Sequence, residues 1–250
     1  MDHLLRATAE AEVRHFWFRG FRLFVTPLVR QATLGRANLR ILDCGCGTGA
    51  NAAWLEAYGR AFGFDLSSVG LRIGHRLGRH KLAQASVGAV PFPSNAFDLV
   101  TSFDVLYSLD TPVERAAAAE MFRVTKPGGY AIVNVAAMNS LRGYHSVLSR
   151  EVRRYSRDSL GALLTGAGFS VVRITYTNAV LFPPMYVSRV YQRWRGLAVE
   201  DAAADLEIRV PAAPINAALS GALWIESLWL KAFNNPFGSS LLCLARKPPA

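Results

Sequence analysis

The stretch Ile41–Gly49 reads Ile-Leu-Asp-Cys-Gly-Cys-Gly-Thr-Gly and carries the clearest pattern in the chain. An apolar run ends at Asp43, and glycine then occupies every second position from Gly45. Glycine permits φ > 0 and lets a ligand approach bare backbone, while the start of a following helix offers unpaired N–H groups. The stretch therefore predicts a strand, then a loop that holds a nucleotide cofactor, then a helix.

A second acidic residue, Asp65, ends another short apolar run about 20 residues later, where it could accept hydrogen bonds from ribose hydroxyls. A glycine loop followed by an acidic residue at this distance fits two classes of cofactor, and the spacing within the loop distinguishes a dinucleotide from the other class. A dinucleotide loop reads G-x-G-x-x-G without a preceding acid, whereas this loop reads D-x-G-x-G-x-G from Asp43. An anionic side chain there would repel a pyrophosphate and suits a ligand with an ammonium and a sulfonium group.

With these residues the chain resembles the class I S-adenosylmethionine-dependent methyltransferases, in particular small-molecule members of the family. The resemblance continues through Pro91–Val100, Ser102–Leu106 and the Lys126–Gly129 turn. It implies S-adenosylmethionine as the cofactor, with S-adenosylhomocysteine as its product. It also implies a Rossmann-like, doubly wound α/β sheet of seven strands whose last strand is antiparallel.

Short β-rich runs alternate with helix-compatible segments, as a doubly wound sheet requires. Strands are expected over residues 39–43, 61–65, 83–86, 97–103, 130–135, 169–177 and 240–246. Helices are expected over residues 4–35, 49–58, 67–79, 112–124 and 156–167. In the family that the chain resembles, the last two strands form an antiparallel pair, so the resemblance implies that residues 178–238 are an insertion, which is aromatic and which prolines should break into short helices. The expected units are a helical lid (1–38), the cofactor-binding core (39–177), a helical cap insertion (178–238) and the last core strand (239–250).

Composition favours one α/β domain with additions, because 250 residues with 51% hydrophobic content can bury a full core. The net charge is +10, yet 24 of the 28 basic residues are scattered arginines, so we expect no nucleic-acid partner. One cluster stands out, and it is either a solvated helix start or a phosphate site. Its members are Arg150, Arg153, Arg154 and Arg157.

Three cysteines are too few for a disulfide framework and lack the partners of a zinc site, so we expect a cytoplasmic protein without metal. The first 22 residues lack the apolar core of a signal peptide. The apolar stretch Ala212–Ile225 is too short to span a bilayer, which leaves a peripheral membrane contact open. Either a monomer or a homodimer is compatible with the sequence.

The resemblance implies roles for individual residues. Asp43 should lie near the amino-acid part of the cofactor, Asp65 at the ribose, and Ser86 at the adenine, where many relatives carry an acid. We also expect Trp17 or Phe18 to cover the cofactor, because an aromatic face attracts a sulfonium by cation–π interaction. The complete set of cofactor-binding candidates is Asp43, Gly45, Cys46, Gly47, Asp65, Leu66, Ser86, Val87, Asp104, Trp17 and Phe18.

Methyl transfer in the family is usually an in-line displacement, so positioning supplies much of the catalysis. A general base would help if the acceptor is a hydroxyl, and the candidates are Tyr107, His145 and Tyr155. An ordinary hydrogen-bonded role for His145 stays open. Both cysteines of the loop are interpreted as small filling residues rather than nucleophiles.

The aromatic insertion favours methyl transfer to an apolar or aromatic small molecule, at oxygen, nitrogen or carbon. One alternative is a lipid-linked or glycan acceptor at a membrane surface, favoured by Arg153, Arg154, Arg157 and the apolar residues 212–233. Another is a non-catalytic scaffold that only binds the cofactor. The intact loop and acidic residues argue against the scaffold.

Overall fold

The computed structural model describes residues 8–9, 11–143, 146–147, 149–195 and 210–249. Within them, seven strands form one sheet with the order β3-β2-β1-β4-β5-β7-β6. Strand β7 is antiparallel to both of its neighbours, and the other pairs are parallel. The strands are β1 (Arg40–Cys44), β2 (Arg60–Asp65), β3 (Leu82–Gln84), β4 (Phe97–Phe103), β5 (Thr125–Ala136), β6 (Ser170–Thr177) and β7 (Ser240–Arg246). The predicted sheet and its antiparallel last strand are confirmed.

Helices cover both faces of the sheet. They are α1 (Phe16–Thr33), α2 (Ala50–Leu55), α3 (Ser68–Arg76), α4 (Thr111–Val124), α5 (Arg157–Gly166), α6 (Phe182–Arg195) and α7 (Ala213–Trp229). Adjacent residues of a strand point to opposite faces, so Ile41 packs with α1, α2 and α7. Leu42 packs instead with α4 and α5 on the other face. The buried strands are therefore apolar on both sides, as a parallel sheet requires.

The N-terminal helix differs from the expected 4–35, because α1 begins only at Phe16. His15 has extended backbone and caps the helix, since its Nδ1 atom accepts a hydrogen bond from the Trp17 backbone N–H at 3.1 Å. Burial lowers the pKa of His15, which favours the neutral imidazole that this cap needs. Residues 12–14 form a turn before the cap, and residues 1–7 and 10 lie outside the described residues.

The prediction that prolines break the insertion into short helices is wrong. Pro183 and Pro184 lie in the first turn of α6, and Pro214 lies in the first turn of α7. Proline is tolerated there because the first N–H groups of a helix have no partner within it. The two helices consequently reach 14 and 17 residues.

Strand β5 begins five residues before the expected position, at Thr125 rather than 130. Its pairing with β4 shifts in register between Phe97 and Leu99, and Gly128 has φ +75° at this irregularity. The predicted Lys126–Gly129 turn is thus a bulge within the strand.

The topology places a switch point between β1 and β4 at the carboxyl edge of the sheet. Helices α2 and α4 follow β1 and β4 and lie on opposite faces, so the chain connections diverge between these two strands. Ligands of open α/β sheets bind outside the carboxyl ends of strands at such a switch point. The glycine loop, Asp65 and Asp104 all lie at this edge.

Candidate active site

The glycine loop is held against the end of β2. The backbone N–H groups of Gly45 and Cys46 both donate to the Phe64 carbonyl at 2.9 Å. One carboxylate oxygen of Asp65 accepts from the Gly47 N–H at 2.7 Å, and the other accepts from the Ser67 N–H at 2.8 Å. Each carboxylate oxygen can accept a further hydrogen bond, so the loop fixes Asp65 in an orientation that suits a pair of hydroxyls.

Glycine at position 45 is required by both conformation and space. Its φ is +77°, and a Cβ atom there would lie 2.4 Å from Cγ2 of Val105. The loop after β4 therefore packs directly on the glycine loop, which brings the ends of β1 and β4 together.

Asp43 is buried beneath this loop. Its Oδ1 atom accepts from the Thr101 hydroxyl at 2.7 Å. Burial raises the pKa of Asp43 to about 7, with a smaller contribution from the charge of Asp65, while the Thr101 hydrogen bond opposes the rise. The carboxyl is therefore part protonated near neutral pH, and a cationic ligand nearby would favour its ionised form.

The side of the site beyond Asp65 offers an apolar surface and a hydroxyl. Leu66 is 71% exposed although it directly follows a buried strand. Ser86 accepts from the Gly88 N–H at 3.2 Å, and Val87 packs partly against the core. A flat apolar ring placed here would cover Leu66, as the adenine interpretation of these three residues requires.

Asp104 lies at the end of β4 in a left-handed conformation, with φ +61°. Its backbone N–H donates to the Asn134 carbonyl, and the Asn134 side-chain amide donates to Asp104 Oδ1, both at 2.9 Å. A non-glycine residue in this conformation costs about 1–2 kcal/mol and persists where neighbouring contacts impose it. Asn134 therefore fixes an exposed carboxylate at the carboxyl edge of the sheet.

The segment before α1 is attached to the glycine loop. Glu12 is buried and accepts from the Thr48 hydroxyl at 2.9 Å and from the Arg79 guanidinium at 2.5 Å. Arg79 also donates to the Thr48 carbonyl at 3.0 Å. Sequence reasoning missed this cluster because its three members are far apart in the chain.

A second attachment joins the same segment to the insertion. The Asn216 side chain on α7 accepts from the Phe16 N–H and donates to the Arg14 carbonyl, both at 2.9 Å. The half-buried Trp17 and Phe18 follow immediately. The aromatic run thus lies on a segment held at one end by the glycine loop and at the other by α7.

Arg22 is a candidate that sequence reasoning did not include. Burial lowers the pKa of Arg22, the nearby Glu12 raises it, and Arg79 lowers it further, so these groups share one neighbourhood. Within the described part of the chain, its guanidinium makes no hydrogen bond or ion pair. A half-buried cation beside the loop suits a ligand carboxylate. A basic residue soon after the aromatic run was the available sequence signal.

Two of the three candidate general bases are buried tyrosines. Tyr155 is buried and donates its hydroxyl to Glu114, and burial raises its pKa above the ordinary value. Tyr107 is also buried, and burial raises its pKa well above the usual value despite a hydrogen bond with Ser149. These surroundings favour structural roles for both tyrosines. His145 lies outside the described residues.

Three of the four clustered arginines bind other residues of the chain. They therefore form neither a solvated face nor an open phosphate site. Arg153 binds Glu114 and the Leu109 carbonyl. Arg154 donates to both carboxylate oxygens of Glu151 at 2.8 and 2.9 Å and to the Ala137 carbonyl. Arg157 donates to the Asn235 carbonyl. These guanidinium groups hold loops in place, which removes them as the argument for a membrane-surface acceptor.

Cys46 packs its sulfur towards β2, where a Cβ on Gly63 would lie 2.8 Å from it. Burial raises the pKa of its thiol, so the interpretation of a filling residue fits. In the described ranges, no three His, Cys, Asp or Glu side chains come together as a metal site would need.

A cleft of about 830 Å³ lies at the opposite edge of the sheet. It is lined by Asn38, Leu39, Arg40, Gly59, Arg60 and Phe62. None of the candidate residues contributes to it. The candidate residues therefore converge at the carboxyl edge rather than at this cleft.

Comparison with known proteins agrees with this geometry. A family model described as a methyltransferase domain matches residues 42–133, which contain the loop, Asp65 and Asp104. Demethylmenaquinone methyltransferase of Geobacillus kaustophilus is 32% identical over 193 residues, covering 60% of this chain and 81% of the relative. The chain belongs to the class I S-adenosylmethionine-dependent methyltransferases.

Two further similar proteins limit what can be inferred from family membership. An uncharacterized methyltransferase of Schizosaccharomyces pombe is 39% identical over 106 residues, 36% of this methyltransferase but only 37% of the relative. A Haemonchus contortus phosphoethanolamine N-methyltransferase in complex with S-adenosylmethionine has a TM-score of 0.61 at 17% identity, covering all of this chain and 58% of that protein. At that identity the likeness shows a shared fold alone.

The carboxyl edge of the methyltransferase fits S-adenosylmethionine, the cofactor of its family. Asp43, Asp65 and Asp104 give this edge an acidic character that suits an ammonium and a sulfonium group. Arg22 offers a counter-charge for a carboxylate. No helix in the described part of the chain is long and apolar enough to cross a bilayer.

Proposed function

We propose that this methyltransferase transfers a methyl group to an apolar, aromatic small molecule. The observation that carries the proposal is the aromatic run after Phe16, which lies between the cofactor loop and α7. Aromatic walls favour a flat apolar acceptor. By its name, the Geobacillus relative acts on a demethylated menaquinone, which is an aromatic and apolar compound. Residues 1–38 would act as the lid and residues 178–238 as the cap.

Asp65 would accept hydrogen bonds from the cofactor's ribose, and Leu66, Ser86 and Val87 would surround its adenine. Gly45, Cys46 and Gly47 provide close backbone approach, and Asp43 lies beneath them. Trp17 and Phe18 would cover the cofactor and exclude water. When bound, S-adenosylmethionine supplies an electrophilic methyl group on a positively charged sulfur.

Asp104 would face the acceptor, because its carboxylate is exposed at the end of β4 and its orientation is fixed by Asn134. It could hold the proton of an acceptor hydroxyl or amine, a role for which the buried hydroxyls of Tyr107 and Tyr155 are less available. Rate enhancement would otherwise come from alignment of the acceptor atom by the lid and α6.

The first test measures cofactor binding by calorimetry, with S-adenosylmethionine and S-adenosylhomocysteine. Asp65→Ala should weaken both by about 10- to 100-fold, because charge-assisted hydrogen bonds contribute about 1.5–3 kcal/mol. Asp158→Ala, which removes an exposed acid from α5, is the matched control and should bind normally. Equal affinities for the two variants would contradict the assignment of the site.

A second binding test isolates Arg22. Arg22→Ala should weaken S-adenosylmethionine but leave methylthioadenosine unaffected, because methylthioadenosine lacks the amino-acid part of the cofactor. Arg30→Ala removes an exposed arginine from the same helix and serves as the control. Equal losses for both ligands would assign Arg22 to lid stability instead of carboxylate binding.

The acceptor is tested with methyl-labelled S-adenosylmethionine and a panel of a demethylated menaquinone, a catechol, an aromatic amine and a polar amino sugar. We expect label transfer to the aromatic compounds, with a lower rate in Trp17→Ala. Transfer only to the amino sugar would overturn the proposed acceptor class. Normal cofactor binding without transfer to any compound would favour the scaffold alternative.

A further inference from the structure

The outward side of α7 is apolar along its whole length. Trp224, Ile225 and Trp229 are 53%, 61% and 54% exposed, and Leu228 is exposed beside them. The inward side is also apolar, since Leu223 packs in the core next to α1. A helix that is hydrophobic all round is normally buried on all sides, which α7 is not.

The only charged side chain of α7 points inward. Glu226 is buried and accepts from the Ala179 and Val180 N–H groups at 2.9 and 3.1 Å and from the Asn235 amide at 2.8 Å. These bonds fix the helix to the start of α6. The outer face of α7 therefore contains no charge of its own.

The exposed rings are held in place. Trp229 stacks on Phe233 with ring centroids 4.3 Å apart. Arg173 donates to the Leu230 and Phe233 carbonyls, which ties the turn after α7 to β6. These contacts consequently fix the C-terminal end of the apolar face on the surface of the molecule.

Helix α6, which follows the residues bound by Glu226, also exposes aromatic rings and is positively charged in sequence. Tyr191 is exposed and Trp194 is 81% exposed. The sequence of α6 contains three arginines and no acidic residue, which gives the helix a net charge of +3, and Arg189 is half-buried and donates to Gln192 at 2.7 Å. Aromatic rings with polar edges, interspersed with arginine, are typical of surfaces that lie in the headgroup region of a bilayer.

We propose that the outer face of α7, together with α6, docks on an anionic lipid surface. The net charge of +10 includes the four acidic residues between the two helices, so the whole chain is attracted to anionic lipid. A second copy fits less well, because two-fold pairing would bring the basic α6 helices and two strongly positive chains together. The proposal concerns binding alone and does not depend on the proposed acceptor.

The test is sedimentation with vesicles of phosphatidylcholine alone or with about one third phosphatidylglycerol, at low and high salt. The wild-type chain should bind the anionic vesicles, and Trp224→Ser/Trp229→Ser should bind at least about tenfold more weakly, a loss of about 1.4 kcal/mol. The matched control, Leu34→Ser/Leu77→Ser, removes exposed leucines elsewhere and should bind like the wild type.

Circular dichroism and S-adenosylmethionine affinity verify that both double variants are folded. Brominated lipid should quench the fluorescence of the wild type more strongly than that of Trp224→Ser/Trp229→Ser. Equal vesicle binding by the two double variants overturns the proposal. So does a wild type that ignores vesicles and forms a dimer in analytical ultracentrifugation, since the face would then be an interface between copies.

Discussion

Replacing Asp43 by Asn tests the electrostatics beneath the cofactor loop. The variant keeps an oxygen that can accept the Thr101 hydrogen bond but removes a carboxyl whose pKa is raised from 3.8 to about 7. A raised pKa means that the folded state holds its proton longer than the unfolded state. The wild-type carboxyl therefore contributes most stability below pH 3.8, and this contribution is lost as the pH rises through about 7.

The magnitude follows from the shift. Each pKa unit corresponds to about 1.4 kcal/mol, so burial of this carboxyl costs about 4 kcal/mol at pH 8, where it is charged, and about 2 kcal/mol at pH 5, where the folded state keeps the proton that the unfolded state releases. The unfolding free energy of Asp43→Asn relative to the wild type should therefore rise by about 2–3 kcal/mol between pH 5 and pH 8. Any constant cost of burying the amide cancels in this difference.

Urea unfolding followed by tryptophan fluorescence at the two pH values measures this change. Asp98→Asn is the control. Burial alone would raise the pKa of Asp98, but the Arg40 N–H and the charges of Lys126 and Arg36 bring it below the ordinary value. That variant should be destabilised equally at both pH values, because the carboxylate is ionised throughout. A pH-independent difference for Asp43→Asn would refute the argument.

Three other changes probe the loop, the insertion and the lid. Gly45→Ala should cost about 2–4 kcal/mol from backbone strain and the clash with Val105, and adding Val105→Ala in urea unfolding should recover only the clash. Glu226→Ala leaves the buried Asn235 amide and the Ala179 and Val180 N–H groups without this acceptor, so we expect a loss of about 3 kcal/mol and faster proteolysis at α7. Unchanged protection from proteolysis would refute the role of Glu226 in attaching α7. The lowered pKa of His15 means that the wild-type free energy of unfolding falls as the pH drops below 6.5. Asparagine can cap the helix without titrating, so His15→Asn should remove this part of the decrease. Unfolding measured at pH 7.5 and at pH 5.5 checks the prediction.

Most of the sheet could be predicted because its signals are local. The run before Asp43 and the run before Asp65 are short, apolar and followed by glycine or a polar turn, and each became a strand that differs by at most one residue at either end. Boundaries failed where a tertiary contact decided them. The N-terminal helix begins where Asn216 of α7 accepts from the Phe16 N–H, beside the local His15 cap, and pairing with β4 lengthened β5.

The candidate site divides in the same way. The loop spacing indicated Asp43, the glycines and Asp65, since these residues act through backbone geometry that neighbouring positions encode. The roles proposed for them stay predictions. Arg22 and the Glu12 cluster were missed because their partners come from separate elements. Tyr155 looked available in the sequence, but the fold places its hydroxyl against Glu114.

The sequence by itself indicated the family by resemblance, the positions of most strands along the chain and the glycine loop proposed to hold the cofactor, because short apolar runs, glycine spacing and acidic strand ends are short-range features of the chain. Only the tertiary structure decided which polar groups are buried together, such as Glu12 with Arg79, and which apolar side chains are left outside, such as Trp224. Burial is a property of packed elements rather than of residues, and it sets both the charge states of the site and the exposed surface of the insertion.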